Sequence, residues 1–119
     1  MKQIFFTFVF LLIASFTHSQ IPKSGIYFYT IHHAEHPNLK VTTKCRVEIN
    51  GNKVKVIYVG GNLSNIKKGD ILDEGIILKH KSGKWIIGKK QSDTKLEEIG
   101  GCTDGPSEIN FKKKIYWMC

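Results

Sequence analysis

Apolar and polar side chains alternate most regularly over residues 39–49. Every second position there is apolar or small, and the positions between are charged or polar. A period of two sustained over this length predicts a β-strand with one buried side and one solvent-facing side. The buried series is Leu39, Val41, Thr43, Cys45, Val47 and Ile49.

A turn signal directly after this strand predicts a β-hairpin. Asn50, Gly51 and Asn52 are residue types that tolerate the positive φ angles of two-residue primed turns. The turn pair is either Asn50-Gly51 or Gly51-Asn52, and both choices give the return strand, residues 53–59, the same buried side. That side carries Val54, Val56 and Tyr58.

Four further segments have strand patterns. Gly25–His33 is rich in aromatic and β-branched residues, and residues 71–80 lead through a short turn at Gly83 into residues 85–89. Residues 109–119 predict one long final strand. Its expected buried side is Ile109, Phe111, Ile115, Trp117 and Cys119.

These six predicted strands indicate an all-β fold of antiparallel sheet. Such a sheet covers its apolar face by closing into a small barrel or by folding over as a sandwich. The barrel is favoured because pairing of the last strand with the first removes exposed edges. The one helical turn expected is at residues 94–97, where a capping box precedes two glycines.

Residues 1–20 have a different pattern, which predicts a secretory signal peptide. A lysine near the start is followed by an apolar run over residues 4–14 and a polar stretch in which Thr17 and Ser19 are the small residues before the cut. The apolar run is shorter than the ~20 residues that span a bilayer. We therefore expect a single β domain over residues 21–119, secreted or periplasmic, with no transmembrane segment.

The chain is strongly basic. Its 18 Lys and Arg less Lys2 leave 17 against 10 Asp and Glu, a formal charge of +7 after cleavage. In the Asn50-Gly51 register Arg46 lies opposite Lys55, and because like charges across a sheet destabilise it, this face points to an anionic partner. The candidate binding residues are Lys40, Lys44, Arg46, Lys53 and Lys55.

An exported basic protein can meet an anionic polysaccharide, an anionic lipid surface or an acidic protein. Nucleic acid is disfavoured by the expected location and by aromatic residues that lie within apolar segments instead of forming stacking platforms. The main alternatives are a barrel that carries a small apolar ligand in its interior and a lysine-rich surface that serves only solubility.

A cluster of histidines suggests a metal site as a further alternative. Three histidines and a glutamate fall within residues 32–36, and imidazole nitrogens suit zinc or copper. Neighbouring side chains on a strand point to opposite faces, so the ligands converge only if the chain turns near Pro37. The hypothesis names His32, His33 and His36, and a solvated loop is the competing interpretation.

The cysteines predict one disulfide and one free thiol. Export favours pairing among Cys45, Cys102 and Cys119. Cys45 falls on the buried side of its strand, where a free cysteine behaves as a small apolar residue, so the favoured pair is Cys102 with Cys119. A straight strand over residues 109–119 rises about 33 Å, so this pair requires the chain to bend.

No group of residues predicts catalysis. Asp73 and Glu74 are adjacent and splay apart on a strand, no serine has a nucleophile-elbow setting, and Cys45 lacks the surroundings of a low-pKa thiolate. Residues 83–90 approach a P-loop pattern, but Lys90 replaces the Ser or Thr that binds magnesium. We expect a non-enzymatic binding protein without a cofactor.

Overall fold

The computed structural model describes residues 21–35 and 43–119, so the predicted signal segment, His36 and Lys40 lie outside the described residues. The described part is almost entirely β-structure, with a single short 3₁₀ helix at Gln91–Lys95. The strands are β1 (Gly25–His33), β2 (Lys44–Asn50), β3 (Lys53–Tyr58), β4 (Ile71–Lys79), β5 (Trp85–Gly88), β6 (Ser107–Asn110) and β7 (Ile115–Met118).

The seven strands form a closed barrel in chain order. Consecutive strands pair antiparallel, and β7 closes the barrel by pairing parallel with β1 from Thr30 to His33. This confirms the prediction of a small all-β barrel in which the last strand meets the first. Closure by a parallel pair follows from the odd number of strands in an up-and-down order.

The single long strand predicted for residues 109–119 is wrong, because the chain reverses at residues 111–114 and forms β6 and β7. Lys114 adopts a left-handed φ of 57°, and the Asn110 side chain accepts a hydrogen bond from the Lys113 N–H at 2.9 Å. The reversal changes which side is buried. Tyr116 faces the core, whereas Ile115 and Trp117 lie on the outside of β7.

The reversal also brings the two ends of the C-terminal region together. Cys102 and Cys119 form a disulfide with an S–S distance of 2.06 Å and a Cα–Cα distance of 4.9 Å. This is the pairing that the buried position of Cys45 favoured, and Cys45 is the free cysteine, fully buried. A disulfide is compatible with an oxidising compartment outside the cytoplasm.

In the first hairpin the turn pair is Gly51-Asn52, since Asn50 pairs with Lys53. Gly51 adopts a φ of 63°, which glycine reaches without strain from a Cβ atom. In this register Lys55 faces Glu48, and Arg46 faces Ile57. The like-charge pairing of Arg46 with Lys55 that the other register would give is therefore not formed.

The barrel centre is filled by side chains from both halves of the sheet. Five interior aliphatic side chains are no more than 2% exposed, and burial of each stabilises the fold by about 1.5–3 kcal/mol. Barrels of about eight strands are just wide enough to be filled in this way. The five are Ile31, Val47, Val56, Ile87 and Ile109.

The connection between β5 and β6 folds back over the outer side of β4 and β5. It shields Leu78 and Ile86, which lie on the outer side yet are buried. The helical turn predicted at residues 94–97 is found slightly earlier, at Gln91–Lys95. His80 holds this connection down, since its Nε2–H donates to the Leu96 carbonyl at 2.6 Å while Nδ1 accepts the Ser82 N–H.

No helix in residues 21–35 and 43–119 has the length and apolar character needed to cross a membrane.

Candidate binding surface

The outer face of the first hairpin carries the basic residues singled out in the sequence, but with acids between them. The Arg46 Nε lies 2.9 Å from the Glu48 carboxylate. Lys55 has Glu48 as its cross-strand partner on one side and Glu74 on the other. Opposite charges in such positions stabilise a sheet, so this face is closer to neutral than the sequence alone indicates.

An open groove of about 810 Å³ runs along the same face. Its lining includes Lys53, Lys55 and Lys89 together with Glu48 and Glu74. The Lys89 ammonium donates to the Glu74 carbonyl. A groove with cations and carboxylates in alternation is poorly suited to a polyanion, because each acid repels part of such a ligand.

Within residues 21–35 and 43–119, the largest concentration of positive charge is at the end of the barrel where β1 begins, named here the cationic end. Residues 21–24 and the turns at residues 51–52, 80–84 and 111–114 form it, because alternate turns of an up-and-down barrel lie at the same end. Eight exposed lysines lie in these segments or at the strand ends beside them. They are Lys23, Lys53, Lys79, Lys81, Lys84, Lys112, Lys113 and Lys114.

Few carboxylates offset this charge. Glu97 pairs with Lys81 at 2.9 Å, and Glu108 pairs with Lys84 at 3.0 Å. Among the described residues, none of the other six lysines has a carboxylate oxygen within 4.0 Å. The cationic end therefore combines high positive charge with few internal partners.

A cleft of about 650 Å³ opens beside the cationic end. It extends from the outer faces of β6 and β7 to the turns that carry the lysines. Three of its lining residues are aromatic, and two of them, Trp85 and Phe111, form an edge-to-face pair whose centroids are 5.8 Å apart. The lining includes Lys84, Trp85, Asn110, Phe111, Lys112 and Trp117.

The described histidines do not come together. His32 and His33 are neighbours on β1, and His32 packs edge-on against Trp117 with ring centroids 5.2 Å apart. His80 lies much further along the chain, where it is buried and forms hydrogen bonds with Ser82 and with Leu96 of the β5–β6 connection. His36, the third proposed ligand, lies outside the described residues, so the metal hypothesis stays a prediction.

One group of metal-ligand side chains does lie close together among the described residues, and it contains the disulfide. Glu35 has a carboxylate oxygen within 4.8 Å of the sulfurs of Cys102 and Cys119. Thiolates bind metals, whereas these two sulfurs are bonded to each other. The group is accounted for by the disulfide itself.

Two buried groups with raised pKa values have structural explanations. Burial raises the pKa of the Cys45 thiol to about 12, which disfavours the nucleophilic thiolate at neutral pH. The Tyr116 hydroxyl donates a hydrogen bond to Asp73 at 3.1 Å, and burial followed by the nearby Asp73 charge raises its pKa. Both side chains belong to the core of the barrel.

The cationic end was missed at the sequence level for one structural reason. With residues 112–114 placed inside a strand, their three lysines alternate between faces and do not form a patch. Once the chain reverses there, the three lysines lie together in one turn, at the same end of the barrel as the turn at residues 80–84. Three successive lysines interrupting an alternating pattern were the available signal.

Comparison of the chain with protein-family models, with curated proteins and with solved structures gives no match. A small barrel can serve many functions, so the chemistry of its surface has to distinguish among them.

Proposed function

We propose that this protein is a secreted or periplasmic binding module that engages a polyanion through the cationic end of its barrel. The observation that carries the proposal is the set of eight exposed lysines at that end, six of them without a carboxylate within 4.0 Å among the described residues. Lys53, a candidate from the sequence, belongs to this set.

The location is supported by two independent features. Residues 1–20 have the charge, apolar run and small residues of a signal peptide. The Cys102–Cys119 disulfide suits an oxidising compartment. Polyanions outside the cytoplasm include acidic polysaccharides, anionic lipid surfaces and acidic proteins.

Lysines are suited to such a partner because each offers a compact charge on a flexible stem. Clustered cations raise the local concentration of an anionic ligand and accelerate its association, and salt weakens both effects. Binding through the cationic end therefore has to depend on salt and on which lysines are present, and not on net charge alone.

Retention of the exported protein on heparin-agarose tests the proposal. Lys112→Gln/Lys113→Gln/Lys114→Gln removes three charges from the cationic end, and Lys67→Gln/Lys68→Gln/Lys90→Gln removes three elsewhere as the matched control. We expect the first variant to elute at clearly lower salt than the control. Equal elution of the two variants would show that only net charge matters, and would contradict the proposal.

A third variant tests the basic face of the first hairpin that the sequence predicted as the binding surface. Lys44→Gln/Arg46→Gln/Lys55→Gln has the same charge change on the outer face of the first hairpin. Since Glu48 and Glu74 already offset this face, we expect elution close to that of the control. If this variant alone loses retention, the polyanion binds to the hairpin and not to the cationic end.

A further inference from the structure

We infer that the aromatic cleft beside the cationic end is a subsite for sugar rings, and that the polyanion is an acidic polysaccharide. This inference rests on the proposed function and names the class of ligand. It combines three observations: a tryptophan that the core does not need, polar groups with unused hydrogen-bonding capacity, and lysines at the cleft's edge.

Trp117 is the tryptophan that the core does not need. It lies on the outer side of β7, is only half-buried, and is not among the side chains packed on the core. Among the described residues, the ring that it packs against is that of His32. Trp85 and Phe111 do pack on the core, yet both stay half-buried and line the same cleft.

Aromatic rings of this kind match the apolar face of a sugar. The C–H groups on one face of a pyranose carry slight positive charge, and the face of an aromatic ring is negative. The cleft's volume of about 650 Å³ lies within the ~300–1,000 Å³ typical of ligand sites. Its open form suits a segment of polymer better than an enclosed small molecule.

Polar groups in the cleft can meet sugar hydroxyls. The Asn110 Oδ1 accepts the Lys113 N–H, which leaves the Asn110 NH₂ group available as a donor. Glu108 also lines the cleft; Lys84, 3.0 Å away, offsets its negative charge, and its oxygens can accept from sugar hydroxyls. Neighbouring donors and acceptors suit a sugar, because each of its hydroxyl groups can both donate and accept a hydrogen bond.

Positive charge continues from the cleft along the next turn. Lys112 lines the cleft, and Lys113 and Lys114 follow it directly. A carboxylate or sulfate on the ring bound in the cleft, or on its neighbours in the polymer, would meet these ammonium groups. The arrangement therefore fits a chain of sugars that carries regular negative charges.

The same surface fits a membrane less well. A lipid surface would be bound most firmly by large apolar side chains exposed among the cations. The large exposed apolar side chains of the described residues are Ile26, Phe28, Ile71 and Leu96, and none of them lines the cleft. Ile26 and Phe28 follow residues 21–24 on β1, so the vesicle experiment below includes them in the test.

Tryptophan fluorescence tests the inference directly, because the chain has two tryptophans and both line the cleft. The exported protein is titrated with a heparin-derived hexasaccharide. We expect a saturable change in the emission spectrum. Trp117→Ala should weaken affinity about tenfold, the scale of one lost aromatic contact with its buried area.

Phe28→Ala is the matched control, since Phe28 is an aromatic side chain on the barrel's outer wall, 60% exposed and away from the cleft. It should bind the hexasaccharide as tightly as the unmodified protein. Trp85→Phe keeps an aromatic ring on the core and leaves Trp117 as the one tryptophan of the chain. An emission change that persists in this variant comes from Trp117. Circular dichroism and the urea midpoint establish that each variant folds.

The outcomes separate the two proposals. The first outcome is that Lys112→Gln/Lys113→Gln/Lys114→Gln loses binding, that Trp117→Ala binds the hexasaccharide as tightly as the unmodified protein, and that the ligand leaves the emission spectrum unchanged. The sugar subsite is then wrong and polyanion binding stands. If neither variant binds differently from the unmodified protein, both are wrong. If polyglutamate, single-stranded oligodeoxynucleotide or anionic phospholipid vesicles produce the same emission change with the same dependence on Trp117, the cleft is not a sugar site.

Discussion

Glu48 lies directly across from Lys55 in the first hairpin, and on its own strand it contacts Arg46 at 2.9 Å. One carboxylate thus forms an ion pair with Arg46 and has a second cation as its cross-strand neighbour. With Glu74 on the other side of Lys55, the charges of a face that looks cationic in the sequence are partly offset. The cationic end, with eight exposed lysines and two ion pairs, gathers more positive charge among the described residues than this face does.

Reversing the charge of Glu48 should therefore destabilise the barrel. Glu48→Lys places a cation beside Arg46 and opposite Lys55, and we expect a loss of about 1 kcal/mol of unfolding free energy. Urea denaturation at low and high salt measures it. Most of the loss should disappear at 1 M salt, and a loss that salt does not reduce would indicate a packing effect instead of a charge effect.

The disulfide should contribute strongly to stability. Cys102 and Cys119 are 17 positions apart, and closing a loop of this size stabilises a fold by about 3 kcal/mol. We expect Cys102→Ser/Cys119→Ser to lower the free energy of unfolding by roughly that amount. Reducing agent should destabilise the unmodified protein similarly and leave the double variant unchanged, and an effect of reductant on the variant would contradict the assignment.

Cys45 should be inert in the folded protein. It is fully buried, and burial raises its pKa to about 12, so little thiolate exists and reagents have no access. We expect no reaction with a thiol-specific disulfide reagent under native conditions and one thiol per chain in denaturant. Rapid reaction of the native protein would show that Cys45 is accessible.

Asp93 should make the barrel sensitive to acid. Its carboxylate accepts hydrogen bonds from the N–H groups of Lys89 and Lys90, which lowers its pKa. A carboxyl whose pKa falls on folding stabilises the fold at neutral pH, and this contribution is lost as the pH drops below about 4.

We therefore expect Asp93→Asn to lose about 1 kcal/mol at pH 7 and progressively less as the pH approaches 3. Unfolding by urea across this range gives the comparison. Glu98→Gln is a suitable control, because Glu98 is an exposed acid without an ion pair among the described residues. A difference between Asp93→Asn and the unmodified protein that stays constant with pH would contradict the role of the carboxylate.

Sequence patterning was most reliable where alternation and turn chemistry agreed. Cys45, Val47 and Ile49 are buried on one side of β2, and the two-residue turn at Gly51-Asn52 forms where the composition predicts a turn. The exact turn pair could not be derived, because both choices preserve the buried side. Only the register decided whether Arg46 or Glu48 faces Lys55.

The C-terminal region shows why the remaining parts of the fold and of the site could not be predicted from the sequence. Apolar residues recur at every second position from Ile109 to Trp117 except at Lys113, so a period of two runs through the reversal with a single interruption. The strand after the turn then buries Tyr116, and Trp117 faces outward. Both parts of the proposed site, the lysine turn and the outward tryptophan, depend on this reversal.

The salt dependence of heparin affinity tests the central claim most directly. Isothermal titration of the exported protein over a range of salt gives the slope of log Kd against log salt, which reports the number of ionic contacts. We predict that Lys112→Gln/Lys113→Gln/Lys114→Gln makes the slope shallower by about two to three, whereas Lys67→Gln/Lys68→Gln/Lys90→Gln leaves it unchanged. Equal slopes for the two variants would contradict binding through the cationic end.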